Sequence, residues 1–118
     1  MAGRSAKIKG NAYERKVAHI LSKAFNTRVQ RIPMSGALDG WKGDLRDLSG
    51  ILKRFVWECK HQEKLNIWAA LRQAEGETSG GRIPVVVFHK NHSKDYVALD
   101  LQDFIMILQE KNNESMGN

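Results

Sequence analysis

The feature that most constrains the fold is the segment Pro84–Phe88, in which all five residues are apolar. A strand with one face in water alternates polar and apolar residues, whereas an unbroken apolar run is typical of a strand buried on both faces. Such a strand needs packing elements above and below its sheet. The run therefore favours an α/β protein.

Periodicity and turn signals place the other elements around this strand. Residues 11–25 have helical spacing, and Asn66 and Asp100 are suited to cap two further helices, the first ending near Glu75. Strands are predicted at 27–32, 44–48, 51–60 and 96–99. The order α-β-β-β-α-β-β-α implies one mixed β-sheet flanked by helices. We expect a flexible basic arm at 1–9, one domain at 10–111 and a disordered tail at 112–118.

The positive charge is concentrated near the start of the chain. Residues 1–31 contain eight basic side chains and one acid, while the other 87 residues contain eleven basic and twelve acidic side chains. Such a basic arm and helix suit a polyanion such as nucleic acid, although a merely solubilising surface would look similar. A single cysteine excludes an internal disulfide. With no signal peptide or membrane span predicted, we expect a cytoplasmic protein.

Three charged residues indicate chemistry. Glu58 and Lys60 share one face of a predicted strand, roughly 6.6 Å apart, and Asp44 opens the preceding strand. A hairpin-like connection through Ser49-Gly50 would place Asp44 beside Glu58, where two carboxylates repel unless a cation lies between them. Mg²⁺ is suited to such a site, with Lys60 acting on its water or on phosphate charge. The alternative is a Glu–Lys pair at the sheet edge without chemistry.

Glu14 lies in a row with Ala18, Leu21 and Phe25, on or beside the buried stripe of the first helix. It could reach the same ion through water. A carboxylate at a helix start is also favoured by the macrodipole alone. The sequence leaves these two interpretations open.

Glu14, Gly43-Asp44 and Glu58-Cys59-Lys60 together resemble the motif of the PD-(D/E)XK nuclease superfamily, and the element order matches its restriction-endonuclease-like α-β-β-β-α-β core. Over residues 8–105 the chain is most similar to the small Holliday junction resolvases of archaea and phages. Their Arg-x-Pro-x-Ser-Gly segment is matched by residues 31–36. Gly43 stands where relatives usually have proline.

The resemblance implies roles for individual residues. Asp44, Glu58 and Glu14 would serve a Mg²⁺ ion that Mn²⁺ can replace, Lys60 the catalytic water, and Ser35 a DNA phosphate. It also implies a homodimer acting on four-way junctions or other branched DNA. The residues expected to contact DNA are Arg4, Lys7, Lys9, Arg15, Arg31 and Gln73.

Two other functions fit the same residues. One is a nuclease of the same fold acting on duplex or flapped DNA in repair or restriction, since a fold does not fix a substrate. The other is a non-enzymatic nucleic-acid-binding protein that works through its basic arm. Asp39 and Asp47 lie close enough in sequence to be alternative ligands. The expected setting is a phage-infected or prophage-bearing bacterial cell, or an archaeal cell.

Overall fold

The computed structural model describes residues 2–33, 43–78 and 80–117, with side chains between residues 6 and 114 of these ranges. The elements in chain order are α1 (Ala2–Phe25), β1 (Gln30–Arg31), β2 (Leu45–Arg46), a 3-10 helix (Gly50–Arg54), β3 (Phe55–His61), α2 (Ile67–Gly76), β4 (Ile83–His89), β5 (Tyr96–Ala98) and α3 (Leu101–Gly117). The predicted α/β class and the predicted element order are confirmed.

β4 is the central strand of a three-stranded sheet and contributes to apolar cores on both of its faces. Val85 and Val87 belong to the larger core, which includes residues of α1 and β3. Val86 belongs to a smaller core with Ala70 and Ala74 of α2. The unbroken apolar run thus has the cause that the sequence predicts, because alternate side chains are buried in two different cores.

The described strands form two sheets where the sequence predicts one mixed sheet, and the three-stranded sheet is the mixed one. β3 and β4 are parallel and are connected through α2, while β5 pairs antiparallel with β4. β1 and β2 form a separate antiparallel pair. A hydrogen bond of 2.7 Å from the Asp44 N–H to the Trp57 carbonyl links this pair to β3. β2 is short because Gly43 and Asp47, which flank it, have φ values of +79° and +61°.

The predicted strand at 51–60 is correct only from Phe55 onwards. Gly50, with φ of +56°, begins a 3-10 helix instead. This turn buries Leu52, whose carbonyl accepts a hydrogen bond of 3.2 Å from the Trp57 indole. The apolar residues before Phe55 therefore reflect local packing against β3 rather than an extended strand.

The start of α1 and the end of α3 differ from the predicted bounds, whereas the end of α1 at Phe25 and the starts of α2 and α3 agree. Asn66 caps α2 by accepting a bond from the Ala69 N–H, and Asp100 accepts from the Asp103 N–H at the start of α3. α1 begins at Ala2 rather than near residue 11, since this segment contains good helix formers such as alanine and lysine. α3 likewise extends to Gly117. The division into arm, domain and tail stays a prediction.

In the part of the chain that the structure describes, no helix is both long and apolar enough to cross a membrane.

Candidate active site

Asp44 is fixed directly against the backbone of β3. Its N–H donates to the Trp57 carbonyl at 2.7 Å, and its Oδ2 accepts from the Cys59 N–H at 2.7 Å. These two bonds attach Asp44 to the residues on either side of Glu58 in the chain. The juxtaposition of Asp44 and Glu58 that the motif predicts is therefore present in the fold.

Gly43 makes this close approach possible. Its φ of +79° lies in the left-handed region, and a Cβ there would stand 2.6 Å from the Trp57 carbonyl oxygen. Proline, with φ fixed near −65°, could not adopt this backbone. The glycine in place of the proline of relatives thus has a structural reason in this chain.

Glu58 is the charged side chain most deeply buried among the described residues, with 2% of its surface exposed. Within the described ranges its Oε1 has no hydrogen-bond partner. Burial, a hydrogen bond with the Glu77 carboxyl and the charge of Asp44 raise the pKa of Glu58 to about 10. The pKa of Asp44 is also raised by burial, although the Cys59 N–H and Lys60 oppose the rise. In both acids the effect of burial outweighs the lowering effect of the nearby Lys60 charge.

Glu14 approaches the same region from α1. Its Oε1 accepts from Arg31 Nε at 3.0 Å, and Arg31 also donates to Asn11 at 3.1 Å. Burial and the charge of Asp44 raise the pKa of Glu14, against the lowering influence of Arg31. Glu14 is therefore electrostatically part of the acidic site, on the buried side of α1 as its helical row predicts.

Lys60 stands on the same face of β3 as Glu58 and is held from α2. Its Nζ donates to Gln73 Oε1 at 2.8 Å, and Gln73 Nε2 lies 3.4 Å from Glu77 Oε1. Gln73 and Glu77 are one helical turn apart, so both reach the end of β3. The amine of Lys60 is thus oriented by a side-chain amide.

Glu77 is a residue that the sequence reasoning missed. It follows the last residue of α2, in a segment interpreted as a Gly-rich loop, and its carboxyl contacts that of Glu58. The available signal was its spacing of four residues from Gln73. That spacing becomes meaningful only if α2 lies over the Glu58 face of β3.

A second polar cluster fastens α1 to the C-terminal ends of β3 and β4. The Tyr13 hydroxyl donates to Asp95 at 2.9 Å, and the Tyr13 ring stacks on His89 with 3.9 Å between centroids. His61 packs edge-on against His89 at 4.3 Å. Because Tyr13 precedes Glu14, this cluster helps to fix Glu14 relative to the sheet.

The residues expected to bind DNA occupy several places. Lys7, Lys9 and Arg15 are exposed on α1. Arg31 is largely occupied by Glu14 and Asn11, and Gln73 by Lys60. The side chain of Arg4 lies outside the described residues, as do Ser35, Asp39 and Trp41 entirely. Asp47 makes a long ion pair of 3.8 Å with Arg46 and is not part of the Asp44–Glu58 contact.

The residues present fit a divalent metal. No group of three His, Cys, Asp or Glu side chains in the described ranges has the spacing of a complete metal site. Mg²⁺, however, is typically held by only one or two carboxylates, with waters and substrate phosphate as its other ligands. Glu58 has a buried oxygen without a partner among the described residues, and Asp44 lies beside it. The two carboxylates form a suitable ligand pair of this kind.

The fold and the site together define a class: an α/β protein with an acid before one short strand, a Glu-x-Lys on the next, and a supporting helix, as in PD-(D/E)XK nucleases. A family model described as "Phage putative PDDEXK endonuclease" matches residues 5–117, and the chain belongs to this family. The predicted superfamily is thereby confirmed. Nucleases of this superfamily generally use divalent metals and bind DNA. No curated protein and no solved structure matches the chain.

Proposed function

We propose that this chain is a Mg²⁺-dependent endonuclease that hydrolyses phosphodiester bonds in branched DNA, with Asp44, Glu58 and Lys60 as its catalytic residues. The observation that carries the proposal is the burial of Glu58 against Asp44, with one Glu58 oxygen that has no partner in the described part of the chain. Buried carboxylates in contact are costly unless a proton or a cation lies between them. At neutral pH a divalent cation serves this purpose and also serves catalysis.

Asp44 and Glu58 would hold the ion, and Glu14 would support it through water. Mn²⁺ would substitute, because it accepts the same oxygen ligands. When bound, the ion would supply a water of lowered pKa and stabilise negative charge on the phosphate. The Cys59 N–H keeps Asp44 in position for this ligand role.

Lys60 would act on the attacking water or on the charge that develops on the phosphate. Its position supports this role, since Gln73 fixes the amine on the Glu58 side of β3. Gln73 would therefore position Lys60 rather than contact DNA directly. Ser35 would bind a DNA phosphate, as its motif suggests.

The basic half of α1 would bind DNA outside the cleavage site. Lys7, Lys9 and Arg15 are exposed there, with Arg4 on the preceding turn. Contacts of this kind to phosphate give affinity and orientation but carry no sequence information. They suit an enzyme that selects DNA by shape.

Four-way junctions have approximate two-fold symmetry and need two cuts to be resolved. The chain contains one Asp44–Glu58–Lys60 set, so a two-fold dimer would place two sites on one junction. Apolar side chains left exposed on β5 and α3 support such an interface. They are Tyr96, Val97, Leu101, Phe104, Met106 and Leu108.

The test is cleavage of a matched panel of four-way junction, flap, single-stranded and linear duplex DNA, with Mg²⁺, Mn²⁺ or EDTA. We expect metal-dependent cleavage that prefers the junction, and linear product from a supercoiled cruciform plasmid. Equal cleavage of flap or duplex DNA would favour the repair or restriction alternative. Binding without cleavage under every metal condition would favour the non-enzymatic alternative.

The dimer is tested separately by light scattering at micromolar concentration. We expect a dimer for the wild-type chain and a monomer for Leu101→Lys, which places a charge in the exposed apolar face. Lys111→Gln, farther along α3, is the control. A wild-type monomer that gives only nicked plasmid would contradict the resolvase proposal while leaving a simpler nuclease.

A further inference from the structure

A basic pocket is formed by α1 together with β1 and β2, and Arg31 is one of its lining residues. Its volume is about 480 Å³, and four of its lining residues can carry positive charge: Arg15, His19, Arg31 and Arg46. The other lining residues in the described part of the chain are neutral. A pocket so rich in guanidinium groups favours an oxyanion.

Arg46 provides a second observation that points to a ligand. Its Nε is buried and makes no hydrogen bond to any described residue, and its contact with Asp47 is long, at 3.8 Å. A buried donor without a partner is unfavourable, and most such groups in proteins are satisfied. An anion in the pocket would interact with the exposed part of the Arg46 side chain, which is 31% accessible, since guanidinium groups bind phosphate with charge-assisted hydrogen bonds.

The pocket is adjacent to the candidate active site without being part of it. Arg31 lines the pocket and also donates to Glu14 at 3.0 Å, so the pocket and the acidic site share this residue. The volume is ample for a phosphate with part of its sugar, because ligand pockets are commonly about 300–1,000 Å³. Among the described residues, Arg31 and Arg46 each form an ion pair with one acid, while Arg15 adds a further guanidinium group and His19 an imidazole to the lining.

We infer that this pocket binds a backbone phosphate of the DNA through Arg15, His19 and Arg46. The bound phosphate is next to the phosphodiester that is cut. The choice of DNA as the source of the phosphate rests on the proposed function. The pocket itself rests on the arrangement of the four basic side chains. It would fix the position of the strand on α1 and β2 while Asp44 and Glu58 act on the neighbouring phosphodiester.

The first experiment measures junction DNA binding by fluorescence anisotropy in EDTA over a range of salt concentrations. We expect Arg46→Gln and Arg15→Gln each to weaken binding about tenfold, as for removal of a charged hydrogen bond. Each should flatten the slope of log K against log salt by about 0.9. Lys111→Gln on α3 removes the same charge and should change neither quantity. Melting temperatures show whether the variants are folded, and Arg15 is exposed, so its replacement leaves the core packing intact.

The second experiment titrates isotope-labelled protein with inorganic phosphate and follows backbone amides by NMR. We expect shifts at Ser22, Gln30 and Arg46 that disappear in Arg46→Gln and are reversed when junction DNA is added. Phosphate shifts in the pocket with unaltered DNA binding by both arginine variants would overturn the inference, leaving a free-phosphate site. Absence of both effects would overturn it entirely. If the protein binds DNA in a way that depends on Arg46 but cleaves no DNA, the proposed function is contradicted and the phosphate pocket is supported.

Discussion

Cys59, which lies between Glu58 and Lys60 in the chain, donates a hydrogen bond of 2.7 Å from its N–H to Oδ2 of Asp44. Together with the bond from the Asp44 N–H to the Trp57 carbonyl, this bond connects the short β1–β2 pair to the strand that supplies the other two candidate catalytic residues. Because the donor is a backbone group, the position of Asp44 depends on the course of β3 rather than on the Cys59 side chain. The site is therefore sensitive to how closely β2 approaches β3.

Replacement of Gly43 tests that close approach. Gly43→Ala should lower the free energy of unfolding by at least about 2–3 kcal/mol, because a left-handed backbone and a steric clash act together. The added Cβ would lie 2.6 Å from the Trp57 oxygen. Gly50→Ala is the matched control, since φ is +56° and nothing lies within 4 Å. Gly50→Ala should lower the free energy of unfolding, measured by urea denaturation, by only about 1 kcal/mol. Equal costs for the two variants would show that β2 does not approach β3 this closely.

The Lys60–Gln73 hydrogen bond makes a prediction about coupling. Lys60→Ala should lower single-turnover cleavage at least about 100-fold, and Gln73→Ala about tenfold through misplacement of the amine. If Gln73 acts through Lys60, the double variant should be close to Lys60→Ala alone. Arg72→Ala, on the exposed side of the same helix, is the control. Fully additive effects would mean that Gln73 acts on DNA independently.

The raised pKa of Glu58 predicts how the metal-free protein responds to pH. A group whose folded pKa lies above its unfolded value stabilises the fold below the unfolded pKa and loses that contribution as pH rises. For Glu58 this loss of stability extends over the pH range from the ordinary pKa of 4.5 up to the raised pKa of about 10. In EDTA, stability should fall from pH 5 to 9 with a slope of up to about 1.4 kcal/mol per unit for one proton. If the stability of Glu58→Gln varied with pH in the same way as that of the wild type, titration of Glu58 would be excluded as the cause.

The basic start of α1 predicts a salt-dependent contribution to binding. Deletion of residues 1–9 removes Arg4, Lys7 and Lys9. Affinity should fall to a similar extent for DNA of every sequence, and the salt slope should flatten by about 0.9 for each phosphate that these side chains neutralise. The check is anisotropy with two junctions of unrelated sequence. A salt slope that the deletion leaves unchanged would show that this segment does not touch DNA.

Most of the fold could be predicted from local patterns in the sequence. The apolar run in β4, the Asn66 cap and the Asp100 cap are each determined by neighbouring residues, and each is present in the structure. The 3-10 helix at Gly50–Arg54 was not predictable in the same way. Its apolar residues satisfy a strand pattern, and only packing of Leu52 beside Trp57 decides between the two conformations.

The candidate site was likewise only partly predictable from local patterns in the sequence. Asp44, Glu58 and Lys60 could be connected through a motif and the alternation of side chains along a strand. Glu77 could not, because its contact with Glu58 depends on where α2 crosses β3. The pocket around Arg46 is likewise invisible in the sequence, since its basic residues come from one helix and two separate strands.

The most direct measurement compares cleavage of a four-way junction by wild type, Glu58→Gln and Glu75→Gln, at saturating enzyme with Mg²⁺. Glu75 is exposed on α2 and serves as the matched control for removal of one carboxylate. We predict that Glu58→Gln lowers the cleavage rate at least about 100-fold while still binding the junction, and that Glu75→Gln behaves as wild type. EDTA should abolish wild-type cleavage. Cleavage by Glu58→Gln at the wild-type rate would contradict the assignment of the active site.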